Sequence, residues 1–159
     1  MQYKNYITRN GYEALKEELH NLVTKDRPTT TGIITWAAGN GDRSENGDYI
    51  YGKRRLREID KRIYILTKKL EQTEIVDYSK HIGSDKIFFG ATVTILRNDI
   101  TEQVIKIVGQ DEINPVANYI SWTAPLAKLL LGKVLGDVLK LHLHDSVEEI
   151  EILEVDYTS

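Results

Sequence analysis

Cysteine is absent from this sequence of 159 residues, and proline occurs only three times. Without cysteine the chain can form neither a disulfide nor a thiolate metal site, although this absence leaves the cellular compartment open. A long hydrophobic run is also missing, because the most apolar stretch, "APLAKLLLGKVLGDVL", is too short and too often charged to span a membrane. The opening "MQYKNYITRN" lacks the apolar segment of a signal peptide. We therefore expect a cytoplasmic protein with no membrane partner.

Charge is distributed unevenly along the chain, although the net charge is only −3. Lys53–Glu71 contains eight Lys and Arg against three acids, whereas Asp145–Ser159 contains six acids and no base. Segregation on this scale favours a basic surface for a polyanion. A solvated helix face explains the same charges, so both interpretations stay open at this point.

The first half of the sequence has the period of two packed helices. Apolar residues recur there at alternating steps of three and four. The resulting seam comprises Tyr12, Leu15, Leu19, Leu22, Asp26, Thr29, Ile33 and Trp36, followed by Glu45, Tyr49, Gly52, Leu56, Ile59, Ile63, Leu66 and Leu70. A 3.5-residue repeat on two neighbouring segments predicts an antiparallel α-helical coiled-coil hairpin.

Two further signals concern the first helix of this hairpin. Thr8 or Asn10 can cap its beginning. Pro28 lies inside the arm and removes a backbone hydrogen bond, so we expect a bend there.

After about Asp77 the pattern changes to that of β-strands. "KIFFGATVTIL", "EQVIKIVG" and "NYISW" are rich in β-branched and aromatic residues. "VLKLHLH" and "EEIEILEVDY" alternate, with a parity slip at Ile152–Leu153 that predicts a bulge, and "APLAKLLLG" predicts one short helix. We therefore predict a hairpin domain, 1–77, followed by a small antiparallel-sheet domain with one helix, 78–159.

The turn between the two arms, "GNGDRSENGDY" at 39–49, allows three interpretations. Asp42 and Glu45 have the spacing of a capping box, with the preceding glycines ending the first helix. Counted from Asp42, oxygen side chains also fall at calcium-loop positions 1, 3, 5 and 7, but Lys53 occupies position 12, where a glutamate is required. Thirdly, two carboxylates at a helix start can be presented to a metal ion whose other ligands come from a partner. The spacing permits this catalytic interpretation without selecting it.

A family resemblance selects the third interpretation. "TWAAGNGDRSENGDYIYGKRRLREIDKRI" resembles the tip and second arm of the Gre transcript-cleavage factors of bacterial RNA polymerase, GreB type. "ITRNGYEALKEEL" is similar to the family's opening helix, and "KIVGQDEINPVANYISWTAPLAKLLLGKVLGD" to its C-terminal signature, so the match covers nearly the whole chain. One departure is Ala124, before Pro125, where the family usually has a serine whose hydroxyl could contribute to docking.

The resemblance implies a transcription elongation factor that is not an enzyme on its own. In this family the coiled coil enters the secondary channel of RNA polymerase, and two acidic tip residues, here Asp42 and Glu45, help to hold a second Mg²⁺ in the polymerase active site. We expect the free protein to bind no metal tightly. The polymerase then hydrolyses the 3′ segment of a backtracked RNA. Ser44, Asn46 and Tyr49 match supporting positions of the tip.

The resemblance also gives roles to the basic stretch and to the second domain. The matching RNA-contacting positions are Lys53, Arg54, Arg55, Arg57, Lys61 and Arg62. The second domain resembles the family's FKBP-like domain, which docks on the channel rim, and the matching docking residues are Asp111, Glu112, Ser121 and Pro125. We expect a monomer. Two alternatives remain: a Gre-like channel binder that inhibits the polymerase, and a structural coiled-coil or nucleic-acid-binding adaptor.

Overall fold

The computed structural model describes residues 4–41 and 45–157. Its elements, in chain order, are β1 (Asn5–Ile7), α1 (Arg9–Asn21), a π-helical turn (Leu22–Asp26), α2 (Arg27–Ala38), α3 (Gly47–Gln72), β2 (Thr73–Ile75), a 3₁₀ turn (Ser79–His81), β3 (Thr92–Arg97), β4 (Thr101–Val108), a second 3₁₀ turn (Gln110–Glu112), β5 (Tyr119–Ser121), α4 (Pro125–Leu130), β6 (Val138–His142) and β7 (Val147–Asp156). This order confirms the predicted fold class, a helical hairpin followed by a sheet domain with one helix. Within the described ranges, no helix is both long and apolar enough to cross a membrane.

The chain divides into two compact units. The helical unit is Tyr12–Gln72, and the sheet unit contains the residues up to Gly11 together with those from Thr73 onward. The first residues belong to the sheet unit because β1 pairs in parallel with β2. The bounds of these units differ from the predicted domain division, which itself stays a prediction.

The helical unit is an antiparallel hairpin of α1–α2 against α3. Ile34 packs over Gly52, while Glu18, nearer the start of the first arm, binds Arg62, nearer the end of the second. On α3 the predicted seam is confirmed at its buried positions, Gly52, Ile59 and Leu66, whereas Glu45, also assigned to the seam, is exposed and precedes the helix. An uninterrupted helix keeps the same face toward its partner over this length.

On the first arm the seam differs from the predicted one beyond Leu22. Thr30 and Ala37 are buried, whereas Ile33 and Trp36 are 46% and 61% exposed. The inward positions therefore lie one residue later than predicted, and the assignment of Thr29, Ile33 and Trp36 to the seam was wrong.

The π-helical turn explains this shift. The backbone N–H of Arg27 donates to the carbonyl of Leu22, five residues back, where an α-helix would use the residue four back. The extra residue rotates everything that follows by one position. Pro28 comes directly afterwards, in the first turn of α2, where its missing N–H costs least. The bend expected at Pro28 stays a prediction.

The sheet unit contains a five-stranded sheet in the order β5-β4-β3-β7-β6. Its pairs are antiparallel, as predicted, except for the edge pair of β4 with β5, which is parallel. The bulge at Leu153 is confirmed, because Thr94 pairs with Glu154 while the next residue, Ile95, pairs with Ile152. The core of the unit comprises Ile87, Ala91, Val93, Ile95, Ile105, Ile107, Ala127, Leu130, Leu141, Ile150, Ile152 and Tyr157.

The shifted seam predicts unequal effects on stability for two adjacent isoleucines. Ile34→Ala should lower the free energy of unfolding of the hairpin by about 1–3 kcal/mol, because it removes the side chain that packs over Gly52. Ile33→Ala should change it by less than about 0.5 kcal/mol, since that side chain is 46% exposed and alanine is the better helix former. Urea unfolding followed by circular dichroism at 222 nm measures both. A larger loss from Ile33→Ala would contradict the shifted register.

Candidate functional site

The turn between α2 and α3 is closed by the side chain of Asn46. Its Nδ2 donates to the carbonyl of Ala37 at 2.6 Å, and its Oδ1 accepts from the backbone N–H of Tyr49 at 3.1 Å. The first bond satisfies a carbonyl in the last turn of α2, and the second caps the N-terminus of α3. One carboxamide therefore holds two helix ends together, and the two sides of the turn are fixed relative to each other.

The residue preceding the cap is Glu45, one of the two predicted catalytic acids. Its side chain is exposed, and it forms neither a hydrogen bond nor an ion pair with any residue of 4–41 or 45–157. The other predicted acid, Asp42, and the predicted supporting residue Ser44 lie outside the described residues. Glu45 is therefore a carboxylate at the turn whose oxygens are not used within the described part of the hairpin.

The observed start of α3 excludes both structural explanations for the acids, the capping box and the calcium loop. A capping box with Asp42 at the cap requires a helix that starts at the following residue, whereas α3 starts at Gly47 with Asn46 at the capping position. A calcium loop counted from Asp42 would extend to Lys53, but the segment from Gly47 onward is already helical. The predicted ending of the first helix at its glycines is confirmed, since α2 ends at Ala38 and Gly39 is its C-cap residue.

The turn has the donor chemistry of a magnesium site but not a complete one. Glu45 lies in a shallow open depression that is also lined by Asn40, Asn46, Gly47 and Asp48, and a carboxylate oxygen is a ligand that Mg²⁺ accepts. In the part of the chain that the structure describes, no group of three or more acidic or histidine side chains could hold a metal ion. Since Mg²⁺ takes six oxygens in near-octahedral geometry, further ligands must come from elsewhere.

The predicted RNA-contacting residues lie along α3, directly after the turn. Lys53, Arg54, Arg57 and Lys61 are exposed, and none of them forms an ion pair with another described residue. Arg54, Arg57 and Lys61 recur at steps of three and four, on the side of the helix opposite the buried seam. Four positively charged side chains therefore follow the turn, and none of them is paired with a carboxylate among the described residues.

Arg55 and Arg62 differ from this group because each has an acidic partner. Arg55 Nη1 lies 3.6 Å from a carboxylate oxygen of Glu58. Arg62 donates to both oxygens of Glu18 on α1, at 2.6 and 2.9 Å. The hydrogen bond from Arg62 holds the pKa of the Glu18 carboxyl below its usual value, with the nearby positive charge acting in the same direction against desolvation. Arg62 therefore joins the two arms of the hairpin, whatever further contacts it makes.

Of the predicted docking residues, Glu112 is tied to the N-terminal segment of its own unit. Its Oε2 accepts from the backbone N–H groups of Thr8, at 3.0 Å, and Gly109, at 2.8 Å, and its Oε1 accepts from the Thr8 hydroxyl. Thr8 in turn accepts from Gly11 N at 3.1 Å, which confirms Thr8 as the cap of α1. A Cβ at Gly11 would overlap the Glu112 side chain, so a larger residue there would displace this carboxylate from its bonds. Both carboxylate oxygens of Glu112 are thus used internally.

Other predicted docking residues are also partly engaged. Asp111 accepts a hydrogen bond from Asn5 Nδ2 at 2.9 Å. Ser121 is buried, and its hydroxyl lies 2.6 Å from that of Thr123. Pro125 is exposed in the first turn of α4. Direct docking by Ser121 stays a prediction, and Pro125 is the more accessible of the two.

Ala124, the departure from the family pattern, occupies the N-cap position of α4. Its backbone has φ −66° and ψ 148°, and no side chain caps the helix there. A serine at this position could supply the missing acceptor. Ala124 therefore leaves α4 without the side-chain cap that a serine could provide.

Sequence reasoning missed Asn46 as the cap, because two acids and two other polar residues within the turn offered competing cap positions. It also missed the exposure of Trp36, since no sequence pattern marked the π-helical turn. The available signal was Asn46 itself, since asparagine is among the preferred N-cap residues.

Comparison with known proteins gives matches over both halves of the chain. The family model for the N-terminal domain of transcription elongation factors GreA and GreB matches residues 5–75, and the model for their C-terminal domain matches 82–157. The transcription elongation factor GreB of Neisseria meningitidis serogroup B is 56% identical over 154 residues, covering 97% of this chain and 94% of the relative. GreB of Pasteurella multocida is 46% identical over 158 residues, covering 99% of each. A solved GreA/GreB factor from Nitrosomonas europaea is 20% identical with a TM-score of 0.43, covering 97% of this chain and 100% of that one.

The dual role of Asn46 predicts a graded loss of hairpin stability. Asn46→Ala removes both the cap of α3 and the bond to Ala37, and should cost about 2 kcal/mol of unfolding free energy. Asn46→Asp keeps the capping oxygen but loses the donor, and should cost about half as much. Glu45→Gln is the matched control and should leave the stability unchanged. A stability loss in Glu45→Gln equal to that in Asn46→Ala would restore a capping role for the acid.

The bonds of Glu112 predict that its substitution destabilises the sheet unit. Glu112→Ala should lower the free energy of unfolding by about 3 kcal/mol, because it leaves buried donors on Thr8 and Gly109 without their acceptor. Glu112→Gln keeps an acceptor oxygen and should cost less. Trp122 fluorescence in a Trp36→Phe background reports this unit, and Glu154→Ala, an exposed glutamate on β7, is the control. Equal stability of Glu112→Ala and Glu154→Ala would refute the internal role.

Proposed function

Because this chain belongs to the GreA/GreB family of transcription elongation factors, we propose that it stimulates RNA polymerase to cleave the 3′ segment of backtracked RNA. The hairpin enters the secondary channel of the polymerase, in the cytoplasm, and its turn reaches the active centre. The observation that carries this proposal is the position of Glu45. Its carboxylate lies exposed before the start of α3, and Asn46, not an acidic residue, caps that helix.

The tip acids would contribute ligands to a metal ion shared with the polymerase. Asp42 and Glu45 are the residues of this chain that would hold Mg²⁺, alongside carboxylates of the polymerase. Mg²⁺ held there would stabilise the negative charge that develops on oxygen during hydrolysis of the phosphodiester bond. The Asn46 side chain bonds to the ends of both helices. Because Glu45 directly precedes Asn46, these bonds restrict the region that the Glu45 carboxylate can reach. A ligand whose backbone is already held in place loses less entropy when the site forms.

The cations of α3 would hold the extruded RNA. Lys53, Arg54, Arg57 and Lys61 are exposed and have no carboxylate partner among the described residues, so phosphate groups can replace their water without first breaking an ion pair. Contacts of this kind do not read sequence, which suits a factor that meets every transcript. Arg62 contributes less in this proposal, because Glu18 already neutralises it.

The sheet unit would dock at the rim of the channel. Pro125 is exposed for such a contact, while Glu112 supports it indirectly by holding the N-terminal segment and the start of α1. A docking unit with a fixed hydrogen-bond network gives the polymerase a surface that needs no ordering on binding.

The test is cleavage of RNA in stalled, backtracked elongation complexes that carry a labelled 5′ end. The wild type should shorten the RNA rapidly, whereas Asp42→Asn and Glu45→Gln should each slow this by about 100-fold or more while still binding the polymerase. Asp48→Asn is the matched control, because Asp48 is an exposed acid in the first turn of α3 that can instead stabilise the helix dipole. It should slow cleavage by less than about threefold.

Three outcomes would contradict the proposal in different ways. Binding of the wild type to the polymerase without shortening of the RNA would indicate an inhibitor of the same channel. Rapid shortening that persists in both acid variants would exclude Asp42 and Glu45 as metal ligands. Absence of polymerase binding would leave the chain as a coiled-coil adaptor.

A further inference from the structure

An exposed tyrosine lies among the cations on the outward face of α3. Tyr64 is 64% exposed. It follows the buried Ile59 by five residues, about 140° around the helix, and therefore points away from the seam. Arg54, Arg57, Lys61, Tyr64 and Lys68 recur at alternating steps of three and four, which keeps all five on one stripe. We call these five residues the outer stripe.

The fold gives no reason for an aromatic ring at this position. Most of the Tyr64 ring remains in contact with water, so it contributes little to the burial that stabilises the hairpin. Lys68 Nζ lies over one face of the ring, 5.8 Å from the ring centroid. With this contact made, Tyr64 is still 64% exposed.

Surfaces that bind single-stranded nucleic acid commonly combine positively charged side chains with aromatic rings. The cations attract the phosphates, and a flat ring stacks on a base without distinguishing among the four bases. Protein interfaces also use tyrosine, but a flat ring within a line of cations matches the alternating phosphates and bases of a single strand. The combination of charge and ring therefore favours single-stranded RNA as the occupant of the outer stripe.

We propose that Tyr64 is a base-stacking residue for single-stranded RNA held along the outer stripe. The proposal rests on the function proposed above, and it extends the RNA contact beyond the cations next to the turn to Tyr64 and Lys68. Along α3, Tyr64 lies about 25 Å from Gly47, at the 1.5 Å rise of an α-helix. A stacked strand covers that distance in about seven nucleotides, at roughly 3.4 Å each. Tyr64 therefore acts on long extruded RNA and not on short.

Equilibrium binding of a labelled single-stranded RNA 12-mer to the full-length protein tests the stacking directly. Tyr64→Leu should weaken binding about fivefold or more, whereas Tyr64→Phe, which keeps the ring, should stay within about twofold of the wild type. Tyr64→Lys separates the ring from the charge, because a purely electrostatic surface would bind more tightly after this change. Under the proposal it binds more weakly at about 0.15 M salt, where charge is screened.

The salt dependence of the same binding gives a second readout. Tyr64→Leu should lower the affinity without changing the slope of log K against log salt, since the ring displaces no counterion. Lys61→Gln should reduce that slope by about one. Tyr51→Leu is the matched control, because Tyr51 is 68% exposed on the same helix but lies off the outer stripe. It should bind RNA like the wild type.

Cleavage assays connect the stacking to the proposed function. In complexes backtracked by about ten nucleotides, Tyr64→Leu should require a concentration of factor about fivefold higher than the wild type, and in complexes backtracked by about two nucleotides it should match the wild type. An equal effect at both lengths would mean that Tyr64 acts on polymerase binding and would overturn the inference.

The two proposals fail in distinguishable ways. If the wild type binds RNA and Tyr64→Leu weakens that binding, but no complex is cleaved, the proposed function fails while the stacking stands. If cleavage occurs and Tyr64→Leu binds and cleaves like the wild type, the stacking fails and the proposed function stands. No binding of the 12-mer by the wild type at low salt, or tighter binding by Tyr64→Lys at about 0.15 M salt, would also overturn the inference.

Discussion

The carboxamide of Asn46 connects the last turn of α2 to the first turn of α3, and the chemistry of the turn depends on this connection. Helix ends carry backbone groups without intrahelical partners, and a tight turn between two helices has few atoms with which to satisfy them. An asparagine side chain has both a donor and an acceptor, so it can bond to the carbonyl of Ala37 and to the N–H of Tyr49 together. An aspartate could serve only one of these ends. Because Asn46 carries the structural requirement, the neighbouring Glu45 is available for a partner.

The five-residue π-helical turn has a comparable effect on the surface of the hairpin. It adds one residue to the first arm before Pro28, which rotates the rest of α2 and exposes Ile33 and Trp36. By contrast, α3 is α-helical from Gly47 to Gln72, so its seam and its outer stripe stay on opposite sides along its length. The side of the hairpin that carries the cations is thus set by regular geometry, while the side that carries Trp36 is set by an irregularity.

In the sheet unit, the carboxylate of Glu112 has a role similar to that of Asn46. It joins the loop after β4 to the residue that caps α1, and the missing side chain of Gly11 makes room for it. A negative charge near the first turn of a helix is electrostatically favourable. Part of what resembles a docking motif in the sequence therefore maintains the fold, and Pro125 is the predicted docking residue that is left exposed for a partner.

The sequence by itself determined the two-helix hairpin, the buried face of α3, the strands of the five-stranded sheet and the bulge at Leu153. These features follow from the spacing of apolar residues over short segments, which depends only on residues near each other in the chain. A family resemblance, carried by a long and specific tip motif, pointed to the acids and the cations. Only the tertiary structure decided the rest. The pairing of Arg62 with Glu18 and of Glu112 with Thr8 joins residues 44 and 104 positions apart, and no local pattern encodes such distances. The choice of Asn46 as the cap was likewise decided in three dimensions, because it depends on where the carbonyl of Ala37 comes to lie.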